Sequence, residues 1–212
     1  MARGVDARNV EVLFPTRVYV APLSSRGGAR LTRQLLHECR QLRLDDRGGV
    51  QWSLTNYPGG YTSYHSAHRM HTVSPTFASL QRRVDRHVAK FVGALELEMN
   101  GRPLSMTDCW VNIMHRGAAH GSHLHPLATL SGIYYVQTPP DCPGLKLEDP
   151  RLERMMAAPP RRSDASRANQ TWVTVPARAG RLILFESWLR HEVPPNTSRS
   201  DRISVSFNYG WF

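Results

Sequence analysis

Cysteine is scarce in this chain of 212 residues. The three present, Cys39, Cys109 and Cys142, are odd in number and form no C-x-x-C pair, which argues against both a disulfide framework and a thiolate metal site. They read as reduced thiols, with Cys109 as core filler. Long apolar runs are missing as well. No stretch approaches the roughly 20 residues a membrane helix needs, and Met1-Ala-Arg-Gly-Val lacks the apolar region of a signal peptide, so the expectation is a cytosolic protein. Lysine is nearly absent, Lys90 and Lys146 being the only two, so the formal charge of +10 is carried almost wholly by arginine. Those arginines are spread along the chain and form no single basic block with interleaved aromatics. This speaks against dedicated nucleic-acid binding and leaves a basic rim able to steer acidic substrates or cosubstrates. No internal repeat or low-complexity tract is present.

The length suits one domain with one well-buried core, read as a strand and helices over 1–103 and a sheet core over 104–212. Val10 to Leu23, with Val12, Phe14, Val18, Tyr19 and Val20, predicts one or two strands with Pro15 at an edge or bend. Leu35, Leu36, Cys39 and Leu42 recur at helical spacing over 31–44, between Gly27-Gly28 and the punctuation of Asp45 to Gly49. Asn56 to Ser66 reads as a loop rich in Gly, Tyr and Ser. Ser74 or Pro75 opens a longer helix, to about Met99, with Leu80, Val84, Val88, Phe91, Val92 and Leu95 on one face. Two helices are therefore expected ahead of the sheets. From 105 onward short strands take over: 105–114, 129–137, 145–148, 171–175, 181–186 and 202–209. In the first, Thr107, Cys109, Val111 and Ile113 alternate on one buried face, and Met106, Asp108, Trp110, Asn112 and Met114 on the other. The polar, Pro- and Arg-rich stretch 150–169 reads as an excursion. Helices on one side of a mainly antiparallel double sheet give an α+β jelly roll.

Histidine is what the chain has in quantity, ten in all, and its order carries the chemistry. In His123-Leu-His125-Pro126 two imidazoles one residue apart project to the same side of an extended segment. His191 follows just past a later strand, and Arg202-Ile-Ser204 lies eleven residues further on. Neutral imidazole suits first-row divalent metals, and three such ligands leave coordination positions free. The pair alone is within the reach of chance among ten histidines; the third histidine and the arginine after it are what make the order that of a jelly-roll iron site with a seat for an anionic cosubstrate. The Arg202 guanidinium could take a carboxylate in two parallel hydrogen bonds, with Ser204 on the same strand face. His115 and His120 are rival ligands, each expected instead to be solvated or to contact substrate. Glu186, Glu192 and Asp149 are the candidate carboxylate contributors.

The runs Asn112-Ile-Met-His-Arg-Gly117, His123-Leu-His-Pro126, Leu130-Ser-Gly-Ile-Tyr-Tyr-Val136 and Leu147-Glu-Asp-Pro-Arg151, with Gly180 through Asn196 and Arg202-Ile-Ser-Val-Ser-Phe-Asn208, resemble the bacterial and phage-associated Fe(II)/2-oxoglutarate oxygenases. The likeness covers the second half of the chain, and Gly60 to Ser63 extends it weakly toward the N-terminus. It implies a double-stranded β-helix that binds Fe(II) through His123, His125 and His191, takes 2-oxoglutarate as cosubstrate and activates oxygen. Hydroxylation is the default outcome, with succinate as coproduct. The superfamily commonly has a carboxylate where this chain has His125, which is the chief departure. Similarity to relatives further implies that Arg202, Ser204, Asn112 and Tyr135 bind the cosubstrate, Tyr135 being favoured over Tyr134. The substrate is unwritten: a small molecule or an aminoacyl group, a lipid or a nucleobase all fit, and the oligomeric state is silent. The glycine-hinged loop 57–66 and the 150–169 excursion are positioned to cover a substrate. Two readings compete. A cupin-type metal dioxygenase or isomerase would lack 2-oxoglutarate, and a jelly-roll binding module would lack chemistry; neither explains Arg202-x-Ser204.

Overall fold

The computed structural model describes residues 10–23, 28–151 and 157–212. Its elements, in chain order, are β1 (Val18–Pro22), α1 (Gly28–Asp45), α2 (Arg47–Asn56), β2 (Gly60–Thr62), α3 (Met70–Val73), α4 (Pro75–Ala94), β3 (Ser105–Met114), β4 (His120–His123), β5 (Leu130–Gln137), β6 (Leu145–Glu148), β7 (Trp172–Val175), β8 (Arg181–Glu186), β9 (His191–Val193) and β10 (Arg202–Gly210). A 3-10 turn at Arg167–Asn169 precedes β7. The strands form two antiparallel sheets, a large one in the order β1-β8-β5-β10-β3-β2 and a small one in the order β4-β9-β6-β7. The class is mixed helix and antiparallel sheet. Among the described residues no helix is long and apolar enough to cross a membrane.

Four helices precede the main run of strands where two are expected. Asp45 to Gly49 is not simple punctuation: Asp46 caps α2 by accepting from the Gly49 amide (2.8 Å), and a Cβ on Gly49 would lie 2.0 Å from the same carboxylate. The glycine pair that reads as a break is there to let the cap close. Ser74 caps α4, its hydroxyl accepting from the Thr76 and Phe77 amides, and Pro75 occupies the first turn. That helix stops at Ala94, not near Met99. Glu96 turns left-handed (φ 58°), and the Leu97 amide reaches back to the Val92 carbonyl (3.3 Å), so the apolar Leu95 belongs to a Schellman end. Within Val10 to Leu23 the strand is confined to Val18–Pro22, which pairs with β8.

Helices α1 and α4 cover the outer face of the large sheet. Leu31, Leu35 and Cys39 meet Phe77, Leu80, Val84, Val88 and Phe91 there, above Cys109, Val111, Ile113, Val205 and Phe207. Each such fully buried side chain contributes about 1.5–3 kcal/mol. Cys109 is wholly buried, as expected of core filler, and burial pushes its thiol pKa up. Strict alternation in β3 fails at one place. The β10 pairing shifts register between Asn208 and Tyr209, so Met106, placed by alternation on the other face, joins the helix-side core with Cys109. A second apolar cluster, including Ile133, Tyr135, Leu145, Leu147, Ile183 and Phe185, brings together side chains from both sheets.

Candidate metal centre and anion seat

Strand β10 lies centrally, between β3 and β5, and every one of its residues is buried. Its alternation sends Ile203, Val205, Phe207 and Tyr209 to the helix side, so Arg202, Ser204, Ser206 and Asn208 form a polar column on the opposite face. The small sheet supplies the other wall. His123 closes β4 and pairs directly with His191 of β9, and His191 in turn faces Leu147 of β6.

His123, His125 and His191 come together: one nitrogen from each lies within 4.8 Å of the others, and the ring centroids are 4.3–5.3 Å apart. The reason differs from the expected one. His125 lies beyond the end of β4, so the pair does not share a strand face. Its amide donates to the Ser187 carbonyl (3.0 Å), and its Nδ1 meets Asn208 Oδ1 (2.7 Å) and Ser131 Oγ (2.8 Å) on the large sheet. Two imidazoles therefore ride on the small sheet and the third is tied to the large one.

Every one of the three has its Nδ1 against an oxygen. His123 meets the Gly121 carbonyl (2.7 Å) and His191 the Leu189 carbonyl (2.9 Å). A carbonyl can only accept, so Nδ1 of these two carries the proton and the Nε2 lone pair is free for a metal. Asn208 Oδ1 imposes the same tautomer on His125. Burial, with the His123 charge second, pushes the His191 pKa down to about 3, and burial lowers that of His125. Neutral imidazoles are the form a metal requires.

The carboxylate candidates stay apart from this cluster. Glu192 pairs with Lys146 (2.7 Å) and Asp149 with Arg151 (2.8 Å), and among the described residues the one cluster of metal-ligating groups is the three histidines. His115 is engaged by Asp201 (2.6 Å). His120, expected in solvent or on substrate, stacks on Tyr57 at 4.1 Å and lines a cavity, and burial drops its pKa to about 3.

Arg202 is 1% exposed. Its Nε donates to the Pro143 carbonyl (3.0 Å) and its Nη1 reaches Met114 Sδ (3.2 Å) and Ser204 Oγ (3.4 Å). Its Nη2 is buried without a partner. Among the described residues no carboxylate pairs with it, although a buried charge without a counterion costs several kcal/mol. The guanidinium lies over the Tyr135 ring (4.9 Å). Asn112, Ser204 and Tyr135 stand in one row across β3, β10 and β5. The Tyr135 hydroxyl and Asn112 Oδ1 are likewise buried and unpartnered. So is the hydroxyl of Tyr57, a residue that motif reading placed only in a covering loop. Its ring lies against Gly60, where an added Cβ would come within 2.4 Å of it.

A cavity of about 500 Å³ opens onto the triad. Asn112, Tyr57 and His120 are on its wall, whereas Arg202, Ser204 and Tyr135 are set back from it. The Arg202 charge acts on both Tyr57 and His120. Sequence reasoning missed Asn208 and Ser131, the anchors of His125. Asn208 ends the quoted Arg202 to Asn208 run at the alternation that faces the site, which was the available signal.

Three imidazoles that could hold a first-row metal thus share one fold with a buried guanidinium that has no carboxylate partner among the described residues. The model of the family described as "Putative 2OG-Fe(II) oxygenase" matches residues 108–208. That stretch, just under half of the chain, is similar to the family's sequences and carries all three histidines and Arg202. No curated protein matches the chain. Solved structures of similar fold include the epimerase SnoN from nogalamycin biosynthesis in complex with Fe3+, α-ketoglutarate and nogalamycin RO (16% identity, 92% of this chain and 79% of that one, TM-score 0.65). A prolyl-4-hydroxylase of Pseudomonas putida is similar at 16% identity over 93% of this chain and 94% of that one (TM-score 0.60). HygX from Streptomyces hygroscopicus, with nickel, 2-oxoglutarate and hygromycin B bound, is similar at 18% identity over 92% and 83% (TM-score 0.57).

Proposed function

We propose that the protein is an Fe(II)- and 2-oxoglutarate-dependent oxygenase, a hydroxylase of a small molecule, built as a single domain over 1–212 whose double-stranded β-helix core spans 104–212, preceded by a strand and helices within 1–103. The single observation that carries this is Arg202: a buried guanidinium with no carboxylate partner among the described residues, in a fold that also gathers three Nε2-presenting imidazoles. Neutral ligands suit a divalent metal, and unpaired donors suit a dicarboxylate. Two facing antiparallel sheets with the site on their inner faces support the β-helix reading.

In this reading His123, His125 and His191 hold the metal, with Asn208, Ser131 and two backbone carbonyls keeping each ring in its binding tautomer. Arg202, with Ser204 and Tyr135 beside it, takes the distal carboxylate of 2-oxoglutarate. Asn112 contacts the cosubstrate nearer the metal. Tyr57 and His120 exclude water from the Arg202 side of the cavity, which strengthens the charge pairing there. Iron with 2-oxoglutarate would supply oxidation of a substrate C–H bond, coupled to oxygen consumption and decarboxylation of the cosubstrate to succinate. The test is Fe(II)-dependent conversion of 2-oxoglutarate to succinate and its loss in His191→Ala, with circular dichroism checking the fold. Metal binding without 2-oxoglutarate binding at millimolar concentration would replace this reading with the cupin-like one.

A further inference from the structure

We propose that the cavity beyond the triad binds a cationic, amine-bearing small molecule, with Asp108 and the rings of Trp110 and Tyr64 receiving its charged nitrogen. The proposal deepens the oxygenase reading and rests on it for the claim that this molecule is the substrate.

Asp108 and Trp110 both lie on the cavity wall. Across the strand pair Asp108 faces Asn208, the residue that holds His125, and the Trp110 ring stands 5.9 Å from the His125 ring. Tyr64 meets Trp110 edge-on at 4.9 Å and is half exposed, so the pair forms the outer wall. Trp52 lines the same cavity. Among the described lining residues there is no lysine or arginine, and Asp108 is the one carboxylate. That is against the grain of a chain with 27 basic and 17 acidic residues. Asp108 accepts from the Thr107 hydroxyl (2.7 Å), and among the described residues no lysine or arginine pairs with it.

Ring faces carry negative potential and attract a cation, more so when it is desolvated. A carboxylate beside them adds a charge-assisted hydrogen bond. An anionic substrate would meet the carboxylate and the ring faces, with no lysine or arginine among the described lining residues to receive it. The two poles therefore sort two ligands by charge: the acid goes to the β10 guanidinium, the amine to Asp108. The apolar wall of Ile133, Phe185 and Leu124 suits a cyclic or aliphatic body.

The test uses the full chain with Zn(II) added, titrated with benzylammonium, benzyl alcohol and benzoate and followed by NMR. Benzylammonium should bind at least about tenfold more tightly than the alcohol, and benzoate more weakly than either. Asp108→Asn should erase the ammonium preference while leaving the alcohol unchanged. Tyr64→Leu, at an exposed ring that the core does not need, should weaken ammonium several-fold more than alcohol. Equal binding of ammonium and alcohol, tighter benzoate, or an unchanged ratio in Asp108→Asn overturns the proposal. 2-Oxoglutarate binding is measured on the same samples: its loss with amine preference intact sinks the oxygenase reading alone, and the reverse pattern sinks this inference alone.

Discussion

Replacing Arg202 by methionine keeps side-chain length and removes the charge. In the ligand-free protein the change should cost little. The Pro143 carbonyl loses a donor, worth about 1 kcal/mol, while a buried guanidinium with no carboxylate partner among the described residues no longer has to be desolvated. The thermal midpoint without ligand should therefore stay near the wild-type value or rise. With ligand the two proteins should part. For the metal-loaded wild type at 2-oxoglutarate about 100 times its Kd, linkage stabilises by about 2.7 kcal/mol. At about 2.1 cal/mol/K of unfolding entropy per residue, a chain of this size should then move its midpoint up by about 6 °C. Losing the charge-assisted pair weakens binding about ten- to a hundredfold. At the hundredfold end the same concentration stabilises the variant by only about 0.4 kcal/mol, roughly 1 °C. Differential scanning fluorimetry with Mn(II) in place of iron reads both numbers, and metal analysis should find the variant as loaded as wild type. An undiminished ligand shift would refute the anion seat. A ligand-free variant destabilised by more than about 3 kcal/mol would mean that the fold does supply Arg202 with a counterion.

Asn208→Leu removes the acceptor that aligns His125 and should lower metal affinity about ten- to a hundredfold with the sheet intact, as competition with a chelator would measure. Gly60→Ala puts a methyl 2.4 Å from the Tyr57 ring; the ring must leave His120, so 2-oxoglutarate affinity should fall while metal content holds, and unchanged affinity would free Tyr57 of any role there. Acid should destabilise the metal-free protein. His120 and His191 have pKa values lowered from 6.5 to about 3 by burial, so below pH 6.5 the unfolded chain takes up protons that the folded one refuses. Stability should therefore fall as pH drops from 6.5 toward 3, and His120→Gln should flatten the slope of urea midpoint against pH.

Much of the β10 side of the site was legible in the sequence because one strand carries it. Ile203, Val205 and Phe207 alternate with Arg202, Ser204 and Ser206, and a central strand with one face in the helix core must turn the other toward the second sheet. The α4 face and the buried row Cys109, Val111, Ile113 were readable for the same reason: burial imposes the period. What escaped was short or depended on partners. β4 and β9, of four and three residues, have no periodicity of their own and exist because they pair with each other. α2 hid behind a glycine pair whose purpose is a cap.

The sequence alone singled out the candidate residues, since His123, His125, His191 and Arg202 occur in an order that few other sites would need. Only the tertiary structure decided how they meet. His125 leaves its strand and is drawn across to Asn208 and Ser131 on the opposite sheet, a contact between residues 83 positions apart that no local spacing encodes. The same holds for the lack, among the described residues, of a carboxylate beside Arg202. Whether a buried charge is paired depends on which side chains the packing of two sheets brings within reach, and that is a property of the fold, not of the neighbours in the chain.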